Sequence, residues 1–294
     1  MNFLKNLMRA EREILGINRR NWQYIKKLNH RRDFPLADDK VMAKKFMQKF
    51  GIPVAETLCV VSNIFELKQF EKVIANRSDF VVKPSNGSQG KGILVVTGRD
   101  TSDFLTAEGR SFTQTDLNHE VASILFGKYT IGYLDFALVE ERLIPSPEMA
   151  AMSPRGLFDI RIIVVGERPV AAMLRLPTFS SRGKANLHQG GIGVGVRLDS
   201  GQTFKAFLKG KFIESHPDTG AQLTGVQLPH WPELINIATR LGKYSPLQYI
   251  GIDLTIDAKK GPLVLEFNAR PGLEIQNANQ EGLQVLIARA GGGR

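Results

Sequence analysis

The sequence predicts an α+β protein, and two strand-rich stretches joined by helically patterned segments are the observations that predict it. Residues 79–96 read Asp-Phe-Val-Val-Lys83-Pro, then a loop with Gly87, Gly90 and Gly92, then Ile-Leu-Val-Val: strand, loop, strand. Residues 249–272 hold two alternating apolar runs on either side of Ala-Lys-Lys-Gly, the pattern of a β-hairpin. If the turn is centred between Lys259 and Lys260, Asp253 lies opposite Glu266, and Glu266 and Asn268 share a face by the period of two.

The amino-terminal residues 1–36 carry nine Lys/Arg against three acids, most of the excess in a chain of 294 residues and net charge +10. Phe3, Leu4, Leu7, Met8, Ile14 and Leu15 fall on helical spacing up to Gly16, and Trp22, Ile25 and Leu28 suggest a second helix. Such a segment fits an anionic surface, of membrane, nucleic acid or acidic peptide; the plainer reading, a helix docked on the next domain, is preferred.

A helix follows with Asp38 as cap and Lys40, Val41, Met42, Phe46 and Phe50 as members, stopped by Gly51 and Pro53. Asn63 with Glu66 has the form of a capping box for a helix through Leu67, Phe70 and Ile74. Beyond the glycine loop, Asp116 caps a helix bearing Leu117, Val121, Ile124 and Leu125. Residues 136–145 read as a strand carrying Glu140 and Glu141 into a turn bounded by Pro145. Residues 158–165 and 170–176 read as a strand pair from which Arg161 and Arg175 can emerge together. Residues 177–193, with Lys184 and Asn186, read as a mobile polar loop, and Leu234, Ile235, Ala238 and Leu241 as a last helix before the hairpin.

Composition bounds the rest. With 43% hydrophobic and 23% charged residues the chain supports a real core in one large or two modest domains. One cysteine, Cys59, excludes an intramolecular disulfide and a cysteine-based zinc cluster. No apolar run approaches the roughly 20 residues that span a bilayer, and the expected location is the cytoplasm. The five histidines lack metal-ligand spacing, and no Ser/His/Asp or Cys/His set stands out.

The glycine loop can turn backbone N–H groups toward a polyanion, or simply close a hairpin with a polar loop. It is not the Gly-x-x-x-x-Gly-Lys-Ser/Thr loop, since Gly90-Lys91 is followed by Gly92 and a β-like run. Nor does it match a kinase loop, which precedes its strand lysine, or a dinucleotide fingerprint, which runs into a helix. Two opposed carboxylates in the hairpin either call for a cation between them or face solvent. An oxygen-only set of two carboxylates and an amide suits Mg²⁺ shared with phosphates rather than zinc.

In order, Asp39-Lys40, Val82-Lys83-Pro84 with its glycine loop, Leu138-Val-Glu140-Glu141, Asp159-Ile-Arg161, Arg175, Asn186, Asp253 and Glu266-Phe-Asn268-Ala-Arg270-Pro-Gly272 resemble the ATP-grasp ligases, and among them the RimK-type α-L-glutamate ligases. The resemblance covers about residues 37–280. It implies two α+β lobes clasping ATP between them: 1–36 as a basic helical segment replacing a full preceding domain, 37–138 as the lobe with the flap, and 139–294 as the lobe with the metal site.

It also implies roles. Lys40 and Lys83 hold phosphates under Gly87, Ser88, Gly90 and Gly92. Glu140, Glu141 and the Leu143 backbone line the adenine, Glu148 or Asp159 lies near the ribose, and Lys184 and Asn186 are further nucleotide contacts. Asp253, Glu266 and Asn268 hold one or two Mg²⁺ ions, with Mn²⁺ an alternative. Arg161, Arg175 and Arg270 are the catalytic candidates, facing the phosphoryl group or the carboxylate. The expected reaction is ATP-dependent amide formation through an acyl phosphate, an amino acid and an acidic peptide or protein being one substrate pair. A ligase or phosphotransferase acting on a sugar or cell-surface precursor is the alternative, and a basic nucleic-acid or membrane-surface module is an alternative of another class. Asn-Ala-Arg-Pro-Gly departs from the Asn-Ser-Ser-Pro-Gly of the glutamate ligases.

Overall fold

A computed structural model describes residues 11–87, 90–101, 103–130, 132–154 and 156–292. They form two compact units, a smaller one of residues 39–45 and 54–144 and a larger one of 11–38, 46–53 and 145–292.

The smaller unit is built on a six-stranded antiparallel sheet. Its strands are β1 (Thr57–Val61), β2 (Phe80–Pro84), β3 (Leu94–Asp100), β4 (Asp103–Thr106), β5 (Ser111–Phe112) and β6 (Ala137–Glu140), in the order β1-β6-β2-β3-β4-β5. Its helices are the first half of α1 (Lys40–Lys49), then α2 (Leu67–Ile74) and α3 (Gln114–Leu125). Phe80, Val82, Ala137 and Val139 pack with Phe70 and Ile74 of α2 and Leu117, Val121 and Ile124 of α3. Each buried Val, Leu, Ile or Phe side chain among them contributes about 1.5–3 kcal/mol. By the period of two, the opposite face receives Lys83 and Glu140.

Two caps differ from the sequence reading. Asp39, not Asp38, caps α1, its Oδ1 accepting from the backbone N–H of Val41 (2.8 Å) and Met42 (3.0 Å). Thr113 caps α3, with Asp116 as its capping-box partner three residues on.

The larger unit carries a seven-stranded antiparallel sheet. The strands are β7 (Asp159–Val165), β8 (Arg168–Leu176), β9 (Ile192–Val196), β10 (Thr203–Leu208), β11 (Lys211–Ile213), β12 (Tyr249–Asp257) and β13 (Gly261–Asn268), in the order β11-β10-β9-β8-β7-β12-β13. Helix α4 (Trp231–Tyr244) lies against β7, β8, β12 and β13, close enough that a Cβ on Gly242 would meet the carbonyl oxygen of Gly166 at 2.5 Å. Helices α5 (Ile275–Asn279) and α6 (Leu283–Ile287) pack with Leu15 and Ile25 over Ile163, Ala171, Met173 and Tyr249.

The amino-terminal segment is therefore part of this unit's core. Residues 1–10, with Phe3, Leu4, Leu7 and Met8 of the expected helix, lie outside the described residues. Leu15 is fully buried and bracketed by the amide of Gln276, while Trp22, expected on an apolar face, is 60% exposed with Lys26 over its ring. The division into units also departs from three consecutive segments. Residues 46–53 join the larger unit because Arg240 donates to the Phe50 carbonyl at 2.8 Å and Val264 to that of Pro53 at 2.9 Å.

The β12–β13 register is the detail that matters most for the site. Asp257 pairs with Gly261 around a three-residue turn, whose Lys259 and Lys260 N–H groups bond to Asp257 Oδ1. The turn is thus centred on Lys259, and an extra residue in β13, Leu265, bulges out and restores Asp253 to its place opposite Glu266. The expected mobile loop after β8 is closed by hydrogen bonds: His216 Nε2 lies 3.0 Å from the Pro177 carbonyl, and Asp218 accepts from Phe179 N–H at 2.6 Å. No helix among the described residues is long and apolar enough to cross a membrane.

Candidate functional site

Asp159, Arg161 and Ile163 point to one face of β7, as do Ala171, Met173 and Arg175 of β8 and Tyr249, Gly251 and Asp253 of β12. Strand register makes Asp159 face Arg175 and Arg161 face Asp253. One end of this face is covered by apolar helices, and the other end carries charge. There Arg161 engages Asp253 through Nε and through Nη2 at 2.6 Å; Arg175 reaches the same carboxylate with Nη2 at 2.8 Å and donates to Asp159 with Nε. Asp253 is only 3% exposed. Charges this deep persist because each has a partner, and removing one partner would strand the other.

Proton affinities follow. Burial, helped by the negative charge of Asp253, pushes Asp159 up to about 7 against the pull of Arg175. Burial also acts to raise Asp253, but Arg161 and Arg175 outweigh it and hold the carboxyl below the usual range. For Arg175, burial works against the charged form, and the surrounding carboxylates, Glu266 among them, more than offset it.

In the smaller unit, one carboxylate gathers two lysines. Lys83 Nζ lies 2.5 Å from Glu140 Oε2, and Lys44 Nζ contacts Glu140 Oε1. Burial acts to raise Glu140, yet the two ammonium groups hold its carboxyl below the ordinary value. Lys40, one turn before Lys44 on α1, places Nζ 2.5 Å from the Gly87 carbonyl. The root of the glycine loop is fixed by Asp135, which accepts from the backbone and side-chain N–H groups of Asn86. Gly92 has φ +75°, and a Cβ there would meet the Tyr129 ring at 2.6 Å, so this turn needs glycine. Gly90 also has positive φ, while Gly87 sits so close to the Pro84 ring that a Cβ would lie 2.3 Å from it. Ser88 lies outside the described residues.

The remaining candidates are placed as follows. Glu140 contacts lysines, and Glu141 Oε1 accepts from Glu56 N–H at 2.6 Å. Leu143 lies between β6 and a short helix, outside any strand, and Glu148 is exposed in the first turn of that helix, its own backbone N–H and Ser146 keeping its carboxyl low. Asn186 caps a short turn by accepting from His188 N–H at 2.9 Å, and Lys184 follows the Ser181 turn of the same loop. Arg270 has other partners than Arg161 and Arg175: both oxygens of Asp38 accept from it at 2.8 Å, and its guanidinium lies over the Phe34 ring.

Sequence reasoning missed Lys44 and Asn29. Lys44 carried a signal, since it shares a helix face with Lys40 at a spacing of four. Asn29 is buried; its Nδ2 donates to the carbonyls of Tyr249 (2.8 Å) and Ala269 (2.9 Å), and its Oδ1 accepts from Tyr249 N–H. Nothing local marks it.

The donor set sorts itself for a divalent ion. Among the described residues no three His, Cys, Asp or Glu side chains converge as a self-sufficient metal site. Asp253, expected to be one of three ligands, instead accepts from two arginines. Glu266 and Asn268 are half-buried on one strand face, with Asn268 Nδ2 3.4 Å from Glu266 Oε1. Two oxygen ligands fit Mg²⁺ that completes its shell with phosphate and water oxygens, once the Asn268 amide turns its oxygen inward.

Residues 19–290 match the family model described as sugar-transfer associated ATP-grasp. A probable alpha-L-glutamate ligase of Legionella pneumophila strain Corby is 34% identical over 238 residues, which is 80% of this chain and 56% of that protein. One of Mannheimia succiniciproducens is 26% identical over 250 residues, 84% of this chain and 60% of that protein. The chain thus spans about three fifths of the length of the curated relatives it matches. Among solved structures, the Campylobacter jejuni biotin carboxylase-beta-gamma-ATP complex superposes with TM-score 0.55 at 15% identity, covering 88% of this chain and 47% of that one. D-alanyl-alanine synthetase A of Vibrio cholerae gives TM-score 0.52 at 10% identity, covering 87% and 63%. At these identities the likeness concerns the fold.

Proposed function

The chain belongs to the sugar-transfer associated ATP-grasp family, and from that premise we propose that it is an ATP-dependent ligase joining a carboxylate to an amine. The observation that carries this reading is the buried charge on one sheet face: two arginines fixed by two aspartates, beside the half-buried Glu266 and Asn268. A fold does not maintain that much buried charge cheaply, and its chemistry suits phosphoryl groups and carboxylates.

The reaction has two steps. The substrate carboxylate oxygen attacks the γ-phosphorus of ATP, the bond to the β,γ-bridging oxygen breaks, and ADP leaves an acyl phosphate. The amine then attacks the acyl carbon, phosphate departs with the C–O bond electrons, and the nitrogen loses a proton to give the amide. Neither step needs a protein nucleophile; both need positioning and neutralisation of spread negative charge. Lys40 and Lys83 are assigned to the ATP phosphates, with Gly87, Gly90 and Gly92 shaping the loop above them. Arg161 commits Nε and Nη2 to Asp253, and Arg175 commits Nε to Asp159 and Nη2 to Asp253, which fixes both guanidinium planes and leaves Nη1 of each for the transferred group. Magnesium held by Glu266 and Asn268 supplies further charge neutralisation when bound.

A second reading of the substrate, a sugar in place of an amino acid and peptide, draws on the family description, sugar-transfer associated. An ADP-release assay with Mg²⁺ and ATP separates the two. One arm offers amino acids with acidic peptides, and the other offers sugar-linked carboxylates with amines and free sugars. ADP release that requires both a carboxylate and an amine supports the ligase. Release with a sugar hydroxyl alone, yielding a phosphorylated sugar, would replace it with a phosphotransferase.

A further inference from the structure

Glu140 is 5% exposed and carries an ammonium group on each carboxylate oxygen, Lys83 on Oε2 and Lys44 on Oε1. The three residues come from β2, β6 and α1, and Lys44 is itself 6% exposed. One carboxylate needs one counter-ion. A second buried lysine adds desolvation cost and places two like charges against each other, and both effects draw the Lys44 ammonium toward its neutral form while Glu140 and, more weakly, Glu141 oppose them.

The excess becomes intelligible if one lysine has to leave. Resting on the reading of Lys83 as an ATP-phosphate ligand, we propose that Lys44 is a positioning residue that keeps Glu140 paired, so that Lys83 is free to turn from Glu140 to the nucleotide. With Lys44 in place, the departure of Lys83 leaves a one-to-one buried pair and relieves the repulsion between the two ammonium groups. Without Lys44, the same movement strands a buried carboxylate, and Lys83 is held back. Lys83 is the lysine that can leave, because its side chain is 14% exposed against 7% for Lys44 and it lies on the strand that feeds the glycine loop.

The test is a double-mutant cycle on the full chain, read by calorimetric titration with Mg-ATP. Lys44→Met is expected to weaken ATP binding by more than about tenfold in the wild-type background and by less than about threefold in the Glu140→Gln background. Lys44→Arg, which keeps the charge, is expected to stay within about threefold of wild type. Should Lys44→Met fail to fold by circular dichroism, Lys44→Gln takes its place in the same cycle. Equal loss in both backgrounds, or none in the wild-type background, overturns the positioning role while leaving ATP binding intact. Absence of ATP binding by the wild-type chain overturns the nucleotide reading itself, and this proposal with it.

Discussion

Asp253 stands directly opposite Glu266 across the β12–β13 pair, yet the countercharge for Asp253 comes from Arg161 and Arg175 on the other side. Opposed carboxylates on neighbouring strands repel, and the sheet resolves the conflict by giving one of them two arginines. Glu266 is then the carboxylate left half-buried on that face.

The arginine pair is expected to be structural as well as chemical. Arg161→Met removes two of the donors that Asp253 accepts and leaves its charge to Arg175 alone. The expected loss is about 3–5 kcal/mol in urea unfolding. Adding Asp253→Leu to make the pair apolar is expected to recover much of that loss. A single variant as stable as wild type would show that the pair does not hold the sheet face together.

Asp159 gives the same face a pH signature. Its folded-state value near 7 exceeds the ordinary 3.8 of an aspartate, so the folded chain holds the proton more tightly than the unfolded one. Its contribution to stability is therefore present at about pH 4 and is lost as pH rises toward 7. Asp253 works in the opposite sense, contributing above 3.8 and losing that contribution only as pH falls below it. Between pH 4.5 and 6.5, Asp159→Asn is expected to gain stability relative to wild type, by at most about 1.4 kcal/mol per pH unit. Unfolding free energies whose difference stays constant over that interval would contradict the assignment.

Asn29 ties the amino-terminal segment to the start of β12 and to the residue after β13. Asn29→Leu leaves the N–H and C=O of Tyr249 and the C=O of Ala269 without these partners in a buried place. The expected cost is about 2–4 kcal/mol in urea unfolding, since each unmet buried polar group costs about 1–3 kcal/mol. A loss under about 0.5 kcal/mol would mean that water replaces the amide there.

Legibility of the sequence divides along local and long-range lines. Lys83 within Phe-Val-Val-Lys-Pro, and the two runs around Ala-Lys-Lys-Gly, announce strands by period and composition, and those strands are present. Strands β9 to β11 gave no such signal, because Ile-Gly-Val-Gly-Val has little side chain on one face and becomes a strand through its pairing with β8. The site divides in the same way. Residue types and their order pointed to Arg161, Arg175, Asp253 and Glu266, but which carboxylate takes the arginines depends on register across three strands. Glu140, read as an adenine contact, sits between two lysines from separate elements, an arrangement that no local window contains.

Calorimetric titration of wild type and Lys83→Ala with Mg-ATP tests the central claim most directly. The account predicts saturable binding by wild type and affinity at least about tenfold weaker in the variant, as expected when a charge-assisted phosphate contact is removed. Equal affinity in the two proteins would contradict it.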